Sequence, residues 1–273
     1  MHRDIEEIEF TIFDTETTGL APRLGDRIVE IAAVRLKGAE QVARFETLVN
    51  PKRQISEAAF MVNQISEEML RDAPGMEAVL PRFLDFIQGS CLCSYNASFD
   101  LEFLNHELSL MGKAELEGII VVDLLKMARR LLPGLERYSL SFVTGHLGIK
   151  FTQKHRALSD VQLSLKLFMR LKEMLKAKGI VDFLSFSRLF AIKAHFLDDI
   201  ISQRASEIQE AIDLGVRLKI EYLSTSDARV TQRQIIPKEI RKDKGRSYLV
   251  GHCCLRNEER VFRLDNILKL EII

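Results

Sequence analysis

The sequence predicts an α/β fold, a mixed sheet flanked by helices, with a small mostly-β unit after it. Three observations carry that prediction. Residues 8–49 hold three β-rich runs divided by turn signals. From residue 57 to residue 178, apolar residues recur at helical spacing, interrupted by one short strand-like run, "CLCSY". Beyond Gly179 the texture changes, and residues 204–273 return to short strand runs between charged turns. The expected units are residues 1–178, a helical linker over 179–203, and an accessory domain over 204–273.

In chain order, "FTIFDTETTGL" is an apolar strand. "RIVEIAAVRL" and "QVARFETLVN", joined by the turn-like "KGAE", complete a three-stranded antiparallel meander. "SEEMLRDA" opens on Ser66 with Glu68 near the capping-box position, and "GMEAVLPRFLDFIQG" places Val79, Phe83 and Phe86 at helical spacing. "CLCSY" is a fourth strand. In the helix that follows it, Phe99, Phe103, Leu104 and Leu108 mark one face. Helices are predicted for "VVDLLKMARRLLPG", "SLSFVTGHLGI" and the long "LSDVQLSLKLFMRLKEMLKAKG", which Gly179 closes. Residues 183–201 read as a connecting helix or small hairpin. A short helix, "SEIQEAIDLG", and the strand runs "RLKIEYLS", "TQRQIIPKEIR", "RSYLVGHCCL" and "ERVFRLDNILKLEII" make up the rest.

With 273 residues and 47% hydrophobic content, the chain has material for a real core and for two domains. The N-terminus is acidic where a signal peptide is apolar, and no run has the length of a membrane span, so the expected location is the cytoplasm, with no membrane partner. Four cysteines in the local pairs Cys91/Cys93 and Cys253/Cys254 fit neither a zinc site nor a disulfide framework. Net charge is zero, which argues against binding nucleic acid by bulk electrostatics. The charge is uneven, however: residues 57–128 are acid-rich and residues 129–178 base-rich.

The first strand ends on Asp14 and Glu16, which share a face because residues two apart in a strand do. Two adjacent anions repel unless a hard divalent cation binds them; otherwise they mark an exposed, solvated strand end. Asp100 and Asp160 each fall in the first turn of a predicted helix, where the helix dipole favours a carboxylate. If the first strand is central, both helix starts border its carboxyl end. Four converging carboxylates hold two metal ions in the arrangement that supports phosphoryl hydrolysis. His155, five residues before Asp160, is then placed to deprotonate the attacking water.

The set "FDTETTG", "NASFD" and "HRALSDV", in this order and spacing, resembles the three motifs of the DEDDh exonuclease superfamily, to which the proofreading subunit of the bacterial replicative polymerase belongs. The resemblance covers about residues 8–176. It implies a ribonuclease-H-like mixed sheet and 3′ to 5′ exonuclease activity on nucleic acid with a free 3′ end. Two Mg²⁺ or Mn²⁺ ions would serve as cofactors. It further implies Asp14, Glu16, Asp100 and Asp160 as metal ligands and His155 as general base. Thr15, Thr17, Thr18, Leu20, Asn96 and Phe99 would hold the terminal nucleotide. One departure is Tyr95, where family members often carry histidine before the motif's asparagine.

Residues from "AIDLGVRLKIEYLS" to "RVFRLDNI" resemble the WYL domain, a small SH3- or Sm-like β-barrel, although Ser247 stands where the namesake tryptophan would be and Asn266 where an arginine is frequent. That resemblance implies a small anionic ligand or nucleic acid as partner, held by Arg233, Arg260 and Arg263 with Tyr222 or Tyr248 stacking on a base. Arg260 and Arg263 cannot share a face of a regular strand, so their convergence requires a bulge or a strand end. In the alternative, nearby Glu258, Glu259 and Asp265 neutralise them. Two competing functions stand beside the exonuclease reading: a ligand-sensing nucleic-acid-binding regulator, and a proofreading subunit with a polymerase or repair partner.

Overall fold

The computed structural model describes residues 3–150, 156–194 and 197–273. Strands β1 (Glu9–Thr17), β2 (Ile28–Lys37) and β3 (Glu40–Leu48) form the expected antiparallel meander. Helices α1 (Glu57–Asn63), α2 (Glu67–Leu70) and α3 (Met76–Ile87) follow, then β4 (Cys91–Ser94) and α4 (Ala97–Leu110). Next come β5 (Val121–Asp123), α5 (Leu124–Leu131), α6 (Leu140–His146), α7 (Ala157–Ala177), α8 (Phe183–Phe190) and β6 (Ala191–Lys193). The six strands lie in the order β3-β2-β1-β4-β5-β6, with β4 and β5 parallel to β1 and the other neighbours antiparallel. β1 is therefore interior, and its carboxyl end lies beside that of β4, where ligands of such sheets gather.

Strand alternation divides the core. Phe10 and Ile12 of β1, with Ala32, Val34 and Leu36 of β2, face the layer of α5, α7 and α8. Phe13, Ile31 and Ala33 face the opposite layer of α3 and α4. The Phe10 ring lies 4.9 Å from that of Phe168 on α7 and 5.6 Å from that of Phe186 on α8. Each fully buried side chain of this size contributes about 1.5–3 kcal/mol relative to exposure. Continuing the same alternation, Asp14 and Glu16 come up on the α7 side and Thr15 on the α4 side.

Two segments differ from the sequence expectation. "VVDLLKMARRLLPG" is not helical throughout: Val121 and Val122, both β-branched, pair with β4, and the Asp123 carboxylate then accepts from Leu125 N at 2.8 Å to start α5. The connector read over 179–203 contributes to the first unit. Phe186, Leu189 and Phe190 of α8 are fully buried in its core, and β6 adds the sixth strand.

The C-terminal unit comprises α9 (Leu197–Asp213), β7 (Leu218–Leu223), β8 (Val230–Asp243), β9 (Arg246–Cys253), β10 (Glu258–Arg263) and β11 (Ile267–Ile272). Its sheet is antiparallel, in the order β10-β9-β8-β7-β11. A separate core forms around Ile208, Ile220, Ile235 and Leu249. The last predicted run is broken by the short turn Leu264–Asn266, so it makes two strands at opposite edges of the sheet. Leu223 and Leu268 pack into the core of the first unit, Arg130 of α5 meets Asp265 at 2.5 Å, and Arg188 of α8 donates to the Leu268 carbonyl at 2.9 Å.

Candidate active site

Carboxylate oxygens of Asp14, Glu16 and Asp160 lie within 4.8 Å of one another. They come from two elements. Asp14 and Glu16 end the α7-facing side of β1, and Asp160 occupies the first turn of α7, which packs across β1 and β2. The predicted fourth acid, Asp100, arrives from the other layer. It sits in the first turn of α4, fully buried, with both oxygens engaged: Oδ1 accepts from Thr15 N at 3.0 Å and Thr15 Oγ1 at 2.7 Å, and Oδ2 from Ser94 Oγ at 2.6 Å. These bonds tie α4 to the ends of β1 and β4 and hold Asp100 close enough to Asp14 to act on its charge. The N-cap Asn96 takes a left-handed conformation, φ 67°, and its N–H donates to Asp123 at 3.1 Å, which aims α4 at the sheet end. His155 lies outside the described residues.

The electrostatics are those of crowded anions. Burial, then the charges of Asp100, Glu16, Asp160 and Glu30, hold the Asp14 carboxyl well above its usual range. Burial and the charges of Asp160, Glu30 and Asp100 push Glu16 up to about 8, opposed by Arg156. Asp100 is pushed up to about 6 by burial, against the hydrogen bonds from Ser94 and Thr15. A set of oxygen donors this close, with Asp14 and Glu16 resisting ionisation, suits a hard divalent cation, whose charge removes the mutual repulsion.

The threonines after the acids are structural to a degree the motif did not reveal. Thr15, Thr17 and Thr18 are buried; Thr17 Oγ1 donates to the Gly19 carbonyl at 2.5 Å, and Thr18 Oγ1 donates to Asp26 at 3.0 Å. At Gly19 a Cβ would stand 2.3 Å from the Asp26 carboxylate, so a side chain there would displace the group that braces the turn. Leu20, by contrast, is 83% exposed. Asn96 is also exposed, and Phe99 is half-buried with its ring 4.9 Å from Phe103. Leu20, Asn96 and Phe99 are thus the open members of the predicted nucleotide-binding set.

Sequence reasoning missed several residues that build the site. Glu30 on β2, opposite Glu16 in the β1–β2 register, is 1% exposed and receives Arg156 Nη2 at 2.7 Å and Ala157 N at 2.9 Å. Glu107 on α4, equally buried, receives Arg27 Nε at 2.8 Å and Nη2 at 2.6 Å. Asn63 donates to the Thr17 carbonyl at 3.3 Å, binding α1 to the turn. The signal was present for Glu30: a lone acid inside "IVEIAAV", an otherwise apolar central strand, must be buried and so must have a partner.

In the C-terminal unit the predicted cationic cluster does not assemble. β10 pairs with β9 in an unbroken register from Glu258 to Arg263, so no bulge turns Arg260 and Arg263 to one face. Each instead has a carboxylate: Arg260 Nε donates to Glu258 at 2.7 Å, and Arg263 Nη2 to Asp265 at 2.6 Å. Tyr222 is buried, edge-on to Phe262 with ring centroids 5.2 Å apart, and cannot stack on a base. Tyr248 is half-buried opposite Arg263. Arg233 differs from the other two. It is 8% exposed, donates to Thr231 Oγ1 at 3.1 Å and lies 3.7 Å from Cys253 Sγ, lining a polar depression with Lys219, Gln232 and Gln234.

A second depression, lined by Ile8, Cys91, Leu116 and Phe183 together with Arg3, Asp85 and Glu117, lies at the amino ends of β1 and β4, away from the acids of the site. All four cysteines are free, three of them buried. No helix among the described residues is long and apolar enough to cross a membrane.

Comparison with known proteins agrees with this fold. The family model described as Exonuclease matches residues 11–168, and that of the WYL domain matches residues 203–272. The chain belongs to the exonuclease family, in its DEDDh branch, whose members are hydrolytic nucleases that use divalent metals. It is 32% identical over 260 residues to the PolC-type DNA polymerase III of Caldanaerobacter subterraneus, covering 94% of this chain and 18% of that protein. It is 40% identical over 183 residues to a DNA polymerase III subunit epsilon-like protein of Rhodobacter capsulatus, covering 66% of this chain and 26% of that one. The chain thus spans about a quarter or less of these relatives' lengths. Among solved structures, E. coli Exonuclease I in complex with a dT13 oligonucleotide matches with TM-score 0.58 and 17% identity, over 89% of this chain and 55% of that one. The nuclease domain of 3′hExo, a DEDDh family member bound to rAMP, matches with TM-score 0.56 and 19% identity, over 66% of this chain and 97% of that one. These two show a shared fold.

Proposed function

We propose that this protein is a divalent-metal-dependent 3′ to 5′ exonuclease that hydrolyses the terminal phosphodiester of DNA or RNA and releases nucleoside monophosphates. The observation that carries the reading is the convergence of Asp14, Glu16 and Asp160 within 4.8 Å at the carboxyl end of an interior strand, with Asp100 locked beside them. Asp14, Glu16 and Asp160 would hold two Mg²⁺ or Mn²⁺ ions, with Asp100 as the fourth acid. Divalent cations so held lower the pKa of a water and neutralise charge developing on the phosphate. His155, next in the chain to the anchored Arg156, takes the proton from the attacking water. Leu20 and Phe99 offer apolar surface to the terminal base and sugar, and the Asp26-braced turn keeps Leu20 in place.

The names of the two relatives support a second aspect of this reading, that the exonuclease works beside a polymerase. In the C-terminal unit, Arg233 is the candidate left for an anionic group, since neither of its hydrogen-bond partners is a carboxylate.

The test is to incubate purified protein with 3′- and 5′-labelled DNA and RNA oligonucleotides in Mg²⁺, Mn²⁺ or EDTA. Mononucleotide release from the 3′ end, abolished by EDTA, is the expected result. Cleavage indifferent to EDTA, or shortening from the 5′ end, would overturn the proposal.

A further inference from the structure

The helix that carries Asp160 has no cap of its own. Arg156 is the N-cap residue of α7 and its side chain makes no capping bond. The buried first-turn N–H of Ala157 is met instead by Glu30, a residue of β2, at 2.9 Å. A carboxylate supplied from another element does what a local Ser or Asp would do, satisfying a first-turn donor and complementing the helix dipole. It also fixes where the first turn stands relative to the sheet, which a local cap cannot. Glu30 faces Glu16 across the β1–β2 register, so the same strand pair that presents Asp14 and Glu16 also sets the position of Asp160.

The second half of the arrangement is Arg156. Its guanidinium is held on Glu30 by Nε at 3.2 Å and Nη2 at 2.7 Å, while its side chain keeps 32% exposure. Glu46 and Glu16 are carboxylates within its electrostatic reach besides Glu30. A released Arg156 would therefore have a site acid to turn to, and a guanidinium on Glu16 competes with a metal ion for the same oxygens.

We propose that Glu30 and Arg156 are a positioning pair for the metal-binding acids: Glu30, its carboxylate anchored by Arg156, caps α7 so that Asp160 meets Asp14 and Glu16, and by holding Arg156 it keeps that cation off Glu16. The inference rests on the exonuclease reading above. It makes Glu30 a positioning residue, not a ligand, because its oxygens are occupied by Arg156 and Ala157 N.

The experiment measures oligonucleotide hydrolysis against Mn²⁺ concentration for the full chain and for Glu30→Gln, Arg156→Met and the double variant, with a thermal melt of each. For folded Glu30→Gln, kcat should fall about tenfold or more and the Mn²⁺ needed for half-maximal rate should rise about tenfold, with KM for the oligonucleotide within about threefold. Adding Arg156→Met should return the Mn²⁺ requirement to within about threefold of the parent without restoring kcat. Unchanged kcat and Mn²⁺ dependence in folded Glu30→Gln would overturn the proposal, as would a Mn²⁺ requirement that stays raised in the double variant. If Glu30→Gln does not fold, Arg156→Met and Arg156→Lys decide: the first should lose about tenfold in kcat at constant KM, and the second should keep most of it. A wild-type rate in Arg156→Met then overturns the proposal. Failure of the exonuclease reading itself looks different, since the parent protein would then show no Mn²⁺-dependent release of mononucleotides.

Discussion

The acids at the end of β1 and the arginines of β10 were both read from sequence as converging charges, and the fold treats them in opposite ways. Asp14, Glu16 and Asp160 are drawn from two elements into one space, where burial and mutual repulsion raise the pKa of Asp14 and Glu16. Arg260 and Arg263 are each paired with a carboxylate two residues away, Glu258 and Asp265. Like charges crowded by the tertiary structure need an external counter-ion, whereas charges neutralised within their own strand or turn need none. A charge cluster points to a ligand when its members come from separate elements and repel one another.

The largest expected effect removes one crowded acid. Asp14→Asn should lower turnover by on the order of 10³-fold while the protein stays folded, because the strain it relieves exists only without metal. Near-normal turnover in this variant would mean the acids are crowded for some reason other than metal binding.

A large effect of a different kind is expected at Asp265, which accepts from Arg130 at 2.5 Å and from Arg263 at 2.6 Å and so joins the two units. Asp265→Ala leaves the buried Arg130 guanidinium without its counter-charge and should cost about 3–5 kcal/mol in urea unfolding. A loss below about 1 kcal/mol would show that the remaining contacts, the packing of Leu268 and the bond from Arg188 to its carbonyl, carry the junction.

Proton linkage sharpens the contrast further. The value for Glu16, about 8, lies above its ordinary 4.5, so the folded chain holds an extra proton between these values. The sign follows: stability from this group is present below about 4.5 and is lost as pH rises through about 8. In EDTA the thermal midpoint should fall between about pH 5 and pH 8, and less so in Glu16→Gln. Added Mn²⁺ should raise the midpoint more at the upper end, where no proton has to be displaced. A metal-induced shift independent of pH would separate Glu16 from the metal site.

The smallest effect is expected from Arg260→Ala. Its exposed pair with Glu258 should be worth no more than about 0.5 kcal/mol, and oligonucleotide binding should not change. A salt-dependent loss of binding in that variant would show Arg260 on phosphate and break the comparison.

The sequence by itself determined the meander, the fourth strand, the long helix α7 and the four acids with their order, because alternation, helical periodicity and capping residues are local properties of the chain. It determined that Asp14 and Glu16 share a face, since that follows from the strand repeat alone. It could not separate β5 from α5, because three residues are too few to show a period and only pairing with β4 and β6 makes them a strand. Nor did it show α8 and β6 as parts of the first unit, which depends on burial of Phe186 and Phe190 and on pairing with β5. The tertiary structure alone decided which charges are left to a ligand and which are neutralised. Glu30 and Arg156 are 126 residues apart and meet only because α7 packs over β2, so no local pattern connects them. Asp100 reaches Thr15 from the opposite layer for the same reason. The physical cause is range: hydrogen bonds and ion pairs act over a few ångströms in space, and separation along the chain does not report that distance.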